Sequence, residues 1–141
     1  MNAAFLDTSY LIALEVLDDQ YHKAAVAHWN NLLHDLPLVV TTSYVLDEVA
    51  TFFNSRNLHS KAVETGDSIL SSPSIRFIHV DESLFHDGWT YFKKHDDKSY
   101  SLTDCISFIV MNRLGIVTAL TFDEHFKQAG YDTPLLRGNG L

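Results

Sequence analysis

The chain has 141 residues, 46% of them apolar, with 18 acidic and 10 basic side chains and a formal charge of −8. That length and apolar content suit one domain with one core over residues 1–141, and the acidic balance excludes a broad basic surface that grips nucleic acid by displacing counterions. The lone Cys105 excludes an internal disulfide, no apolar run reaches the ~20 residues of a membrane span, and the start of the chain lacks a secretory pattern, so a soluble cytoplasmic protein with no membrane association is expected.

Taken in order, "AAFL" at 3 to 6 reads as a first strand, and Asp7-Thr8-Ser9 opens the helix after it. Tyr21, Ala25, Trp29, Leu32, Leu33 and Leu36 form an apolar stripe at helical spacing. "LVVT" at 38 to 41 is a second strand, followed by a helix whose stripe is Val45, Leu46, Val49, Phe52 and Phe53. "IRFIHV" at 75 to 80 is a third strand, after which Asp81 caps a helix expected to turn Phe85, Trp89 and Phe92 inward. Ser101-x-x-Asp104 precedes the apolar run from Cys105 to Val110 as a capping pattern, and Gly115 ends that helix. "IVTAL" at 116 to 120 is a fourth strand, "EHFKQAG" a short helix closed by Gly130, and "TPLL" at 133 to 136 a weak fifth strand.

Strands separated by helices imply an α/β/α sandwich around a central, mostly parallel sheet of four to five strands. The first and third gaps are long enough for two helices each. In such sheets ligands gather beyond the carboxyl ends of the strands.

Four acids converge on that edge. Asp7 follows the first strand directly, Asp123 follows the fourth by two residues, and Asp104 opens the helix that runs back to feed the fourth strand. Each of the three also suits a helix cap. The fourth is selected by geometry: Asp47 has Ser43, Thr51 and Asn54 as its helical neighbours, a solvated face, whereas Glu48 stacks between Tyr44 and Phe52. A carboxylate on an apolar stripe is costly unless paired or coordinated. Clustered carboxylates cannot all stay ionised without a cation, and oxygen ligands with no Cys or His suit Mg²⁺ or Mn²⁺, which can activate a water for phosphodiester hydrolysis. Thr8 and Ser101 are candidates for positioning a carboxylate or a ligand water.

With "FLDTS" at 5 to 9, "LDEV" at 46 to 49, "SLTD" at 101 to 104 and "LTFDEHF" at 120 to 126, the chain resembles a PIN domain, and within that family the stand-alone ribonuclease toxins of the VapC type. The resemblance assigns Asp7, Glu48, Asp104 and Asp123 as the catalytic and metal-binding acids. It implies a compact α/β/α sandwich, Mg²⁺- or Mn²⁺-dependent cleavage of RNA, a homodimer, and a VapB-type antitoxin protein that occupies the site. Glu124 beside Asp123 is an extra acid at the fourth motif.

Other readings compete. His34-Asp35, His86-Asp87 and His95-Asp96 invite an all-helical metal phosphohydrolase, against which the strands argue. A phosphatase with an aspartyl nucleophile needs a second acid two residues after the first, where this chain has Ser9. The serious rival is a PIN fold that binds RNA or a protein without cutting. Arg56, Lys61, Lys93, Lys94 and Lys98 are the candidate RNA contacts, clustered around positions 54 to 60 and 93 to 100 in an otherwise acidic chain.

Overall fold

A computed structural model describes residues 2–137. Its elements follow in the order β1 (Ala3–Leu6), α1 (Thr8–Glu15), α2 (His22–Leu32), β2 (Leu38–Thr42), α3 (Ser43–Asn54), α4 (His59–Ser71), β3 (Ile75–Ile78), α5 (Glu82–Lys94), α6 (Leu102–Leu114), β4 (Ala119–Leu120), α7 (Glu124–Gln128) and α8 (Pro134–Arg137). The four strands form one parallel sheet in the order β3-β2-β1-β4. β1 therefore lies inside the sheet, with Phe5 in register with both Val40 and Ala119. The chain builds outward from β1 to β3 on one side and then crosses to β4 on the other. That reversal opens a crevice at the carboxyl end of β1, where open α/β sheets place their sites.

The strands run apolar because both faces are covered: Ala4, Phe5, Leu6, Val39 and Val40 are buried. The core continues through Tyr10, Phe53, Phe108 and Phe126. Cys105 lies in it with its thiol pushed up to about 11, chiefly by burial, so it is an inert packing residue. Among the described residues no helix is long and apolar enough to cross a membrane.

Three details depart from the periodicity of the sequence. The expected fifth strand is reduced to one parallel bridge, Thr118 with Asp132, and residues 134–137 are helical. Pro134 explains this, since its fixed φ suits a first helical position and it has no N–H for a ladder. Leu33, the C-cap residue of α2, is exposed. Trp89 and Phe92 are also exposed, stacked on each other with centroids 5.5 Å apart.

The inward face of α5 runs instead through Leu84, Gly88 and Tyr91. Gly88 sets that face: a Cβ there would collide with the Ile106 side chain and stand 3.3 Å from its Cα, so α5 lies close against α6. Gly88→Ala should destabilise the fold by about 1–3 kcal/mol through overpacking, read as a lower urea midpoint at unchanged m-value.

Candidate active site

The four acids reach the carboxyl edge from four separate segments. Asp7 occupies the N-cap position of α1, yet its side chain makes no capping bond. Its Oδ2 accepts instead from Thr121 Oγ1 at 2.7 Å and Ser9 Oγ at 3.0 Å. Ser9 Oγ also accepts from Phe122 N at 2.9 Å, and Thr121 Oγ1 accepts from Asp123 N at 2.9 Å. The plain cap reading thus fails for Asp7, whose carboxylate is clasped across the β1–β4 crevice.

Asp104 does two jobs. It completes a capping box, accepting from Ser101 N at 3.0 Å while its own N–H donates to Ser101 Oγ at 2.9 Å. The same Oδ2 lies 2.8 Å from His125 Nδ1. Asp123 caps α7, accepting from His125 N at 2.9 Å. On α3, Glu48 is half-buried while Asp47 is exposed, as the helical spacing requires, and Glu48 Oε1 accepts from Thr8 Oγ1 at 2.7 Å.

Asp7, Thr8, Ser9, Ile12, Glu48, Ser99, Ser101, Asp104, Asp123 and His125 line one cavity of about 350 Å³. All four acids are in that lining, and among the described residues no Lys or Arg is. Glu124 is exposed and lies outside it, so Asp123 is the acid that the strand-to-helix junction delivers. A larger cleft between α3 and α4 is lined by Leu46, Ala50, Ala62, Val63 and Leu70 and contains none of the four.

Burial without a cation has an electrostatic cost. Burial pushes the Asp7 carboxyl up to about 7; the Thr121 and Ser9 hydroxyls oppose this and the charges of Asp104 and Asp123 add to it. Asp104 is raised as well, first by burial, with the Ser101 N–H opposing, Asp123 adding, and His125 opposing. Converging carboxylates, with burial disfavouring the charged forms of Asp7 and Asp104, fit a hard divalent ion, which would supply the missing positive charge. The cavity therefore passes the chemical test for such a group.

His125 was not among the residues singled out from sequence. Its Nδ1 lies 3.3 Å from Asp123 Oδ1 as well as 2.8 Å from Asp104 Oδ2, and its Nε2 lies 3.1 Å from Ser99 Oγ. One ligand atom each from Asp104, Asp123 and His125 lie within 4.8 Å of one another. The cavity thus holds a histidine beside the oxygen donors, where the sequence suggested oxygen donors alone. The signal was the spacing Asp123-x-His125 at a helix start, hidden among eight histidines.

The basic residues divide. Lys98 adjoins Ser99 of the cavity, and Lys93 and Lys94 end α5, which leads into that loop. Arg56 is not in the lining of the cavity: its guanidinium lies 3.7 Å over the Phe52 ring and donates to the Phe52 carbonyl. Lys61 is engaged with Glu15 at 2.7 Å.

A family model described as the PIN domain matches residues 4–130. The 23S rRNA-specific endonuclease VapC20 of Mycobacterium tuberculosis is 36% identical over 127 residues, covering 90% of this chain and 94% of that protein. The crystal structure of M. tuberculosis VapC20, described as a Sarcin-Ricin loop cleaving toxin, is similar with a TM-score of 0.83 at 35% identity, over 91% of this chain and 95% of that one. The crystal structure of FitAcB from Neisseria gonorrhoeae has the same fold, with a TM-score of 0.61 at 22% identity over 92% and 95% of the two chains. With the family matched over nearly its whole length and a toxin of that family more than one-third identical, this chain belongs to the PIN domain family, among its VapC-type ribonuclease toxins.

Proposed function

We propose that this chain is an endoribonuclease toxin that depends on Mg²⁺ or Mn²⁺, with Asp7, Glu48, Asp104 and Asp123 holding the ion. The observation that carries this reading is the shared cavity: four carboxylates from four segments, with no Lys or Arg in the lining among the described residues. A bound divalent ion supplies the charge that lets an acidic cavity accept a phosphodiester, activates a water and steadies the leaving oxygen. The side chains supply orientation. Ser9 and Thr121 fix the Asp7 carboxylate, Thr8 fixes Glu48, and Ser101 fixes Asp104, so three acids enter the site with their rotamers already set.

The substrate we infer is 23S rRNA at the sarcin-ricin loop, by likeness to VapC20. By the same likeness we infer a cytoplasmic homodimer held in check by a VapB-type antitoxin, one of whose basic side chains would meet the carboxylates in place of the ion. The reading that the fold binds without cutting has no observation in its favour, since all four acids are present and the relative is an endonuclease.

The test is cleavage by partner-free protein of a mixed RNA pool, and of a sarcin-ricin hairpin beside a scrambled hairpin, in Mn²⁺, Mg²⁺ and EDTA. Metal-dependent cutting of the native hairpin alone supports both reaction and target. Cutting of the pool but not the hairpin keeps the reaction and removes the target; inactivity everywhere removes the enzyme.

Lys93, Lys94 and Lys98 we infer to be phosphate contacts. Replacing all three with Ala should lower the slope of log K against log salt by about 2 for single-stranded RNA. Fluorescence anisotropy across a salt series measures it, and an unchanged slope excludes the three lysines.

A further inference from the structure

We infer that His125 belongs to the metal-binding set, offering Nδ1 as a nitrogen donor beside the carboxylates of Asp104 and Asp123, and that it shifts the site toward Mn²⁺ over Mg²⁺. The inference rests on the metal-nuclease reading above and adds a residue and a selectivity to it.

The argument begins with what faces what. Nδ1 is 2.8 Å from Asp104 Oδ2 and 3.3 Å from Asp123 Oδ1. Two carboxylate oxygens only accept, so the imidazole nitrogen pointing at them needs something positive between: either its own proton or a metal ion. The spacing suits the ion. Two ligands at right angles around a centre with bonds of about 2.1 Å stand about 3 Å apart, close to both observed separations.

The far side of the ring is arranged for the same state. Nε2 lies 3.1 Å from Ser99 Oγ, so Nε2–H can donate to that hydroxyl and leave the Nδ1 lone pair facing the carboxylates. Metal-ligating histidines are commonly held in this way, with the other ring N–H donated to a neighbour. The ring is further fixed by Tyr100, edge-on at 5.5 Å, and its backbone by the Asp123 cap, so His125 is presented on a braced helix start rather than a loose loop. Mg²⁺ prefers oxygen and keeps its waters, whereas first-row transition ions accept imidazole. A nitrogen in the set therefore favours Mn²⁺.

The test loads wild type, His125→Ala, His125→Asn and Ser99→Ala with Mn²⁺ alone, without RNA. Pulsed EPR of bound Mn²⁺ reads nitrogen coupling, and competition with Mg²⁺ reads selectivity. His125→Asn keeps an N–H donor near the Nδ1 position but no ring lone pair, so it separates a ligand from a hydrogen-bonding clasp, while the thermal midpoint of each variant checks folding. We expect nitrogen coupling in wild type, none in His125→Ala or His125→Asn, and a loss of Mn²⁺ affinity of about 10-fold or more with a smaller loss for Mg²⁺; Ser99→Ala should keep the coupling and weaken binding. Bound Mn²⁺ without nitrogen coupling, coupling that survives in His125→Ala, or equal losses for both ions would overturn the inference while leaving the metal-nuclease reading intact. Failure of wild type to bind either ion would remove both.

Discussion

Asp7→Asn is expected to abolish metal-dependent cleavage while leaving the metal-free protein at least as stable as wild type. The two effects have one cause. An Asn amide oxygen can still accept from Thr121 and Ser9, which bond a single oxygen of Asp7, so the clasp across the crevice survives. What disappears is a buried charge whose ionised form the folded state disfavours, as shown by a carboxyl pushed up to about 7 from 3.8. At pH 8 the relief is worth up to a figure on the order of 4 kcal/mol. Chemical unfolding in EDTA, paired with the hairpin cleavage assay, reads both. A variant that lost cleavage by unfolding would make Asp7 a structural acid; one that kept cleavage would remove it from the site.

The stability of the metal-free protein should fall as pH rises, against the usual behaviour of a paired carboxylate. The folded Asp7 binds a proton up to about pH 7, whereas the unfolded chain releases it near 3.8, so within that window the folded state holds more protons. Each step upward in pH then favours unfolding; the penalty is absent below about pH 4 and complete above about pH 7. Asp104, raised in the same direction, adds to it. We expect the wild-type Tm in EDTA to drop by roughly 10 °C between pH 5 and pH 8 relative to Asp7→Asn, which serves to subtract all other titrations. Saturating Mn²⁺ should erase most of that difference, so the metal-induced rise in Tm is larger at pH 8 than at pH 5. Parallel wild-type and Asp7→Asn profiles in EDTA would show that burial imposes no such penalty.

Much of this site is readable from the chain because strands and caps leave local marks. Asp7 and Asp123 are placed by the strands before them, Asp104 by its Ser101 partner, and Glu48 by being the polar residue on an apolar stripe. His125 is hardly readable that way, since its placement depends on Asp104 and Ser99, 21 and 26 residues away, and its one local mark, the spacing from Asp123, is lost among eight histidines. α4 is similarly quiet: only Ala62, Thr65 and Ile69 are buried in it, too thin a stripe to stand out in "HSKAVETGDSILS". The orientation of α5 misleads for a different reason. Periodicity favours the large aromatics Trp89 and Phe92, yet close packing is decided by the residue with no side chain, Gly88.

The parallel order β3-β2-β1-β4 also bears on when the cavity is completed during synthesis of the chain. β1 emerges early, but Phe5 N–H and Asp7 N–H donate to Thr118 and Leu120 carbonyls, and Asp7 Oδ2 waits for a hydroxyl 114 residues further along. Until β4 is made, one side of β1 has no partner and Asp7 has no crevice to face, while Asp123 and His125 do not yet exist. A nascent chain thus lacks one side of this crevice through most of translation. The four acids come together only as the segment from Thr118 to Phe126 adds itself to the finished half of the sheet, so the cavity is among the last features of the fold to be completed.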